Sequence, residues 1–112
     1  KEPVNFLKKE NKKKMVITHY QFFSVLLNEN LNIPNRWYFP DNTFPSSENN
    51  NFYKNYKNFL LNKKKNNNIG IVYIIMEDPE FFGNIFLKYF NDKCKFSKKN
   101  KLVIKIEIKN CI

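Results

Sequence analysis

Few residues in this chain combine the type and the spacing that catalysis requires. Glu77 and Asp78 are adjacent carboxylates that follow an apolar run, and His19 is the only histidine. Ligands bind beyond the carboxyl ends of strands in open α/β sheets, so this pair could act as a general acid or base. An N-cap and a first-turn acid of a helix explain the same two carboxylates. We therefore expect a non-catalytic protein, with a small enzyme that uses Glu77 or Asp78 as an alternative.

The cysteines and glycines show no spacing that is typical of a cofactor site. Cys94 and Cys111 are too far apart in sequence for a short metal or redox motif. The two glycines, Gly70 and Gly83, cannot build a glycine-rich phosphate loop. We expect no metal and no cofactor, and we expect both cysteines to be reduced thiols inside the cell.

Positive charge is the strongest bias of the composition. A formal net charge of +10 at pH 7 favours an anionic partner such as RNA. However, Arg36 is the only arginine, and phosphate-binding proteins favour arginine for its planar fork. An AT-rich coding sequence would also produce this excess of lysine. The candidates for contact with nucleic acid, as in a ribosomal or other ribonucleoprotein subunit, are Lys63, Lys64 and Lys65.

Residues 33–47 concentrate aromatic side chains in a stretch that cannot form a regular helix or a central strand. Pro34, Pro40 and Pro45 prevent both. Tryptophan, tyrosine and arginine are enriched at the energetic centres of protein interfaces. We expect this segment either to close over the core as a lid or to bind a protein partner, with base stacking as a further option. The candidate anchors are Arg36, Trp37, Tyr38, Phe39 and Phe44.

The elements that position these residues follow from hydrophobic periodicity. Residues 69–76 are apolar on both faces, which predicts a central strand. Asp78 and Pro79 then predict the start of a helix whose apolar stripe continues to Phe90. The alternation over 102–109 predicts a strand near the sheet edge, because one face is polar. If the two strands are parallel neighbours, the helix between them is a right-handed crossover.

Shorter patterns occupy the first part of the chain. Residues 4–7 predict a short edge strand, with a frayed terminus as the alternative. Residues 15–17 predict the end of a strand. Thr18 and Gln21 match a capping box that begins a helix with its buried face over 22–27.

A third helix is predicted to begin near Ser46. Its lysines continue into a low-complexity stretch, 63–68, that we expect to be a mobile surface loop, and 91–100 reads as a lysine-rich connection. The apolar stripe of this helix comprises Phe52, Tyr53, Tyr56, Phe59, Leu60 and Leu61.

Together these patterns predict a single α+β domain over residues 1–112. We expect a mixed sheet of three or four strands and about three helices that pack mainly on one face. No apolar run is long enough to span a bilayer, and we expect an intracellular protein, cytoplasmic or organellar. The chain begins with Lys1, which leaves room for a removed targeting segment and for a longer parent chain.

The function that this pattern favours is a non-catalytic interaction module or a small structural subunit of a larger assembly. It would bind a protein partner through the aromatic segment 33–47. Contact with RNA through the lysine-rich surface is the first alternative.

Overall fold

The computed structural model describes residues 2–20, 31–35, 38, 43–91, 93–109 and 111. The strands form one mixed sheet in the order β1-β2-β4-β3, with β1 and β2 parallel and the other neighbours antiparallel. This confirms the predicted α+β class, with four strands and three helices in the described part of the chain. The elements are α1 (Glu2–Lys9), β1 (Lys14–Thr18), α2 (Tyr53–Asn66), β2 (Ile71–Ile75), α3 (Pro79–Phe90), β3 (Lys95–Lys98) and β4 (Val103–Glu107).

Strand β2 lies in the interior of the sheet, as its two-sided apolarity predicts, and all five of its residues are buried. On one face, Tyr73 packs in the same cluster as Leu7 of α1. On the other face, Ile74 packs with Leu60 of α2 and Phe86 of α3. Two of the three described helices thus cover one face and α1 covers the other. Each such buried side chain contributes about 1.5–3 kcal/mol.

Helix α3 begins at Pro79, as predicted, with Asp78 at the N-cap position. Proline is favourable there because the first N–H of a helix would lack an intrahelical partner anyway. The Asp78 backbone is left-handed, with φ of 51°, and its side chain makes no capping hydrogen bond to α3, every residue of which the structure describes. The helix start therefore depends on Pro79 and on Glu80 in the first turn.

Aromatic rings fill the layer between the sheet and helices α2 and α3. Tyr53 of α2 stacks on Tyr89 of α3 with ring centroids 4.6 Å apart. The Phe44 ring lies 5.1 Å from that of Phe86, and Tyr38 meets Phe86 edge-on at 5.9 Å. Such tilted and edge-to-face pairs add to the gain from burial. The aromatic layer therefore fixes how the two helices sit on the sheet.

Residues 31–33 cover the outer edge of β1. The Val16 N–H donates to the Leu31 carbonyl oxygen at 3.0 Å, and Asn32 Nδ2 donates to the Lys14 carbonyl oxygen at 3.0 Å. Asn32 has a φ of 53°, a left-handed conformation that asparagine adopts more easily than most residues. These bonds satisfy backbone groups of an edge strand that would otherwise be open to pairing with another chain.

The N-terminal segment is a helix, so the edge strand predicted for 4–7 is wrong. Leu7 of α1 is fully buried in the cluster on its face of the sheet. Lys8 and Lys9 occupy the last turn, where positive charge is favourable. An apolar run of only four residues cannot distinguish the helical period from the strand period.

Strand β4 pairs on both sides, with β2 and β3, so its predicted place near the sheet edge is wrong. It is also antiparallel to β2, which excludes the parallel crossover considered for α3. The chain returns through β3, which lies within the segment 91–100 that was predicted as a connection. Its sequence, KFSK, contains one apolar residue, so pairing with β4 rather than hydrophobic pattern makes it a strand.

Helix α2 begins at Tyr53, later than the predicted start near Ser46. The Ser47 hydroxyl accepts from the Asn49 N–H, and Asn50 Oδ1 accepts from the Phe52 N–H. These local bonds favour turns over a helix.

The predictions for the C-terminal end of α2 and for the segment after β1 can also be compared with the structure. The helix continues through the three lysines that begin at Lys63, so the mobile loop predicted there is wrong. The helix predicted over 22–27, including Gln21 of its capping box, lies outside the described residues. Thr18 itself ends β1, and its hydroxyl accepts from the Tyr20 N–H.

Candidate nucleic-acid interface

Six lysines converge at one end of the sheet. Strands β1, β2 and β3 begin at this end and β4 ends there, as the pairing registers require. The lysines line two grooves, of about 310 and 370 Å³, which share Lys12 and Lys109. Lys64 is half-buried and the other five are exposed. We call this surface the basic end and define it by Lys12, Lys13, Lys64, Lys93, Lys95 and Lys109.

Backbone pairing around Gly70 brings two of these segments together. The Gly70 N–H donates to the Lys13 carbonyl oxygen at 3.0 Å, and the Gly70 carbonyl oxygen accepts from the Ile108 N–H at 3.1 Å. A Cβ at Gly70 would lie 3.6 Å from Lys12 Cδ and 3.7 Å from Lys109 Cβ. The two lysine side chains therefore flank Gly70 and stand side by side.

The C-terminus of α2 supplies Lys64 to the basic end. Asn68 follows the helix with a left-handed φ of 54°, and its N–H donates to the Lys65 carbonyl oxygen. The Ile69 N–H donates to the Lys64 carbonyl oxygen, which completes a Schellman motif. The negative end of the helix dipole favours the lysines here. This motif turns the chain from α2 into β2.

A disulfide joins Cys94 to Cys111, so the prediction of two reduced thiols is wrong. The Cα atoms are 5.2 Å apart, a normal separation for a disulfide. Asn91 Nδ2 also donates to the Cys111 carbonyl oxygen at 2.8 Å. The two cysteines are 17 residues apart in sequence, and only the antiparallel pairing of β3 with β4 brings them together.

The disulfide also organises the third part of the basic end. Cys94 lies between Lys93 and Lys95, and Cys111 comes two residues after Lys109. The bridge therefore fixes the start of β3 next to the chain that leaves β4. It holds these three lysines on one surface.

Few acidic side chains line the basic end. Glu107 is the one acidic residue among the described residues that line the two grooves. Its carboxylate lies 3.6 Å from Lys12 Nζ, and both side chains are about half exposed. An exposed pair of this kind contributes only about 0–1 kcal/mol, so a phosphate can compete for Lys12.

The lysines predicted to bind nucleic acid lie in the last turn of α2. Lys64 lines a groove of the basic end, whereas Lys63 and Lys65 are not among the described residues that line either groove. The sequence did not reveal the other five lysines, because three separate segments contribute them. Lysines at the ends of predicted strands were a signal for Lys12, Lys13 and Lys109. Lys93 and Lys95 lie at the start of β3, which the sequence did not predict.

Two of the predicted protein-binding anchors are core residues. Tyr38 and Phe44 are 1% and 2% exposed, so their rings are not available to a partner in this conformation. The Asn35 N–H donates to the Tyr38 hydroxyl at 2.9 Å, and burial raises the pKa of Tyr38. In the part of segment 33–47 that the structure describes, Tyr38 and Phe44 pack on the core, as the lid hypothesis expects. The remaining anchors, Arg36, Trp37 and Phe39, lie outside the described residues.

Asn35 is the centre of the hydrogen bonds that hold this lid. Its Oδ1 accepts from the Tyr56 hydroxyl at 3.0 Å, and its Nδ2 donates to the Thr43 carbonyl oxygen at 3.1 Å. Tyr89 of α3 adds a bond to the Pro45 carbonyl oxygen. The lid is therefore attached to both α2 and α3.

The residues considered for catalysis are not brought together. Glu77 and Asp78 are exposed, and His19 packs edge-on against the rings of Tyr38 and Phe82. Within the described ranges, no group of three histidine, cysteine, aspartate or glutamate residues could hold a metal ion. No helix in the same ranges is both long and apolar enough to cross a membrane.

We compared the chain with known protein families, with curated proteins and with solved structures, and none of the three comparisons found a match.

Proposed function

We propose that this protein is a non-catalytic, RNA-contacting subunit of a larger ribonucleoprotein assembly. The observation that carries the proposal is the basic end, where four separate segments place six lysines around two adjoining grooves. A composition rich in lysine does not require such clustering. The clustering therefore supports a role for the charge beyond codon bias.

The chemistry of the basic end suits a phosphate backbone better than a specific base. Lysine is a flexible point charge that binds phosphate without the directional fork of arginine. Contacts with phosphate fix a protein on nucleic acid but carry no sequence information. We therefore propose binding that depends on charge and tolerates many sequences.

A protein partner bound through segment 33–47 is the second candidate. The observation in its favour is that this segment is rich in aromatic residues, including Trp37 and Arg36. However, the burial of Tyr38 and Phe44 and their attachment through Asn35 support a structural role for the part that the structure describes. The RNA hypothesis therefore ranks first. An enzyme built on Glu77 and Asp78 ranks last, because both are exposed and neither is among the described residues that line the basic end.

The disulfide also bears on the proposed location. Disulfides persist in oxidising compartments and are rare in the cytosol. The Cys94–Cys111 bridge therefore supports an oxidising compartment over the cytosol.

The salt dependence of binding tests the proposal. A labelled single-stranded RNA of about 12 nucleotides, within the span of known single-strand sites, is titrated with the protein at several salt concentrations. Six lysine–phosphate contacts predict a slope of about −4 in log affinity against log salt. Affinity should then fall about a hundredfold or more between roughly 50 and 200 mM salt. No binding at low salt, or a slope shallower than about −1, would contradict the proposal.

A further inference from the structure

A separate groove with aromatic walls lies along the N-terminal half of α2. Phe52 and Phe59 are 69% and 44% exposed, although both belong to the apolar stripe predicted for this helix. Phe44, Pro45 and Tyr56 also line the groove, whose volume is about 370 Å³. Two large rings thus face solvent beside a buried aromatic floor. We call this feature the aromatic groove.

The aromatic groove and the basic end are joined by α2. Phe52 and Phe59 are seven residues apart and Lys63 follows four residues later, so the three share one side of the helix. Lys64 lies about 140° around the helix from Phe59, on the other flank, whereas Lys63 lies on the Phe59 flank about 6 Å along the axis. A single strand that runs from Lys64 past Lys63 would therefore bring its bases to the aromatic rings.

The lining of the aromatic groove is uncharged. The described residues that line it include neither an acidic nor a basic side chain. Its polar lining comes from Thr43, Asn50 and Asn55, and Asn50 Oδ1 already accepts from the Phe52 N–H. Hydroxyl and amide groups both donate and accept hydrogen bonds, so they can meet the edges of different bases.

We propose that the aromatic groove binds an unpaired base of the single-stranded nucleic acid whose phosphates lie on the basic end. This inference rests on the proposed function and adds the preference for single strands. Stacking on an aromatic ring tolerates any base, because every base has a π-face. A base held in a duplex is already stacked and paired and cannot enter.

Removing the bases from the ligand tests this proposal directly. The two ligands are an oligouridylate and an abasic ribose-phosphate oligomer of the same length and charge. We expect the wild-type protein to bind the oligouridylate about tenfold more tightly, as the stacking of one base predicts. Phe59→Ala should remove that difference and leave the salt slope unchanged. Phe81→Ala is the matched control, because Phe81 is 47% exposed and is not among the described residues that line the aromatic groove.

The outcomes separate this inference from the proposed function. Equal affinity for the two oligomers, with a steep salt slope for both, would overturn base binding while the proposed function stands. Failure of both oligomers to bind would overturn the two together. If Phe59→Ala leaves RNA affinity unchanged but dissociates a dimer in sedimentation experiments, the groove contacts a second copy and the inference is wrong. Phe52→Ala, a change at the more exposed ring, should repeat the effect of Phe59→Ala.

Discussion

Glu10 is a carboxylate that the fold holds almost out of solvent. Its side chain is 10% exposed and accepts hydrogen bonds from the Lys12 N–H and from the Tyr73 hydroxyl, at 3.2 and 3.0 Å. Lys105 Nζ lies 3.4 Å away. Burial alone would raise the pKa of Glu10, but these three partners outweigh it and lower the pKa below 4.5. The carboxylate therefore joins the α1–β1 connection to β2 and β4.

The stability of the protein should depend on pH through Glu10. A carboxyl whose pKa is lowered by folding stabilises the folded state above its ordinary pKa, and this contribution is lost as pH falls through the folded value. Glu10→Gln should therefore lower the free energy of unfolding at pH 7 by about 1–2 kcal/mol, since hydrogen bonds to a charged group are weakened. The difference from wild type should shrink as pH falls below 4.5, in urea unfolding followed by circular dichroism.

A matched variant controls for the loss of charge. Glu107→Gln removes an exposed carboxylate whose ion pair with Lys12 is largely solvated, so its effect on unfolding should stay below about 1 kcal/mol. Equal pH profiles for wild type and Glu10→Gln would show that Glu10 is not held in this network.

The structural role of a single residue could be predicted from the sequence only where the groups it contacts are close in the chain. Pro79 marked a helix start correctly, because the preference of proline for the first helical position does not depend on the rest of the fold. The bond between Tyr73 and Glu10 spans 63 residues, and no local pattern reveals it. The disulfide was missed for the same reason.

Among the secondary-structure elements, α3 lies so close to the sheet that only glycine fits at position 83. A Cβ at Gly83 would overlap the Phe96 ring of β3 and would lie 3.2 Å from Ile104 Cδ1 of β4. Phe96 is partly buried and Ile104 is fully buried, so Ile104 in particular has little room to move. Gly83 therefore sets how closely the helix approaches β3 and β4.

Gly83→Ala should destabilise the protein although alanine favours helices. The gain in helix propensity is about 1 kcal/mol, whereas overpacking a core costs about 1–3 kcal/mol. We expect the free energy of unfolding to fall by about 1 kcal/mol, measured by denaturant titration. Asn84→Ala, at the exposed neighbouring position, should be neutral or slightly stabilising. A Gly83→Ala protein as stable as Asn84→Ala would contradict the close packing.

Elements were predictable where their own residues carry the pattern. Strand β2 and helix α3 are strongly apolar, and both were predicted close to their observed bounds. Strand β3 contains only Phe96 as an apolar residue and exists because β4 pairs with it. The order of the strands was not predictable, because pairing depends on contacts across the whole chain. The interior place of β4 follows from that order.

At the scale of the whole molecule, the arrangement of charge is the central feature. The sequence contains 20 lysine and arginine residues, and their number alone did not separate function from codon bias. The fold collects six of the lysines at one end, where strand ends, the C-terminus of α2 and the disulfide meet. The candidate interface was therefore largely hidden from sequence reasoning, which identified Lys64 alone among its members.

A comparison of two double variants with equal charge tests this account most directly. Lys12→Gln with Lys109→Gln removes the two lysines that both grooves of the basic end share. Lys99→Gln with Lys101→Gln removes the same charge from exposed positions in the turn between β3 and β4, at the opposite end of the sheet. Affinity for single-stranded RNA is measured against salt for both proteins.

We predict that the first variant weakens binding about tenfold and flattens the salt slope by about 1.4, the contribution of two phosphate contacts on a single strand. The second variant should keep a slope close to that of wild type. Equal losses of affinity and slope in the two variants would show that the protein attracts RNA through its overall charge, and would contradict a binding surface at the basic end.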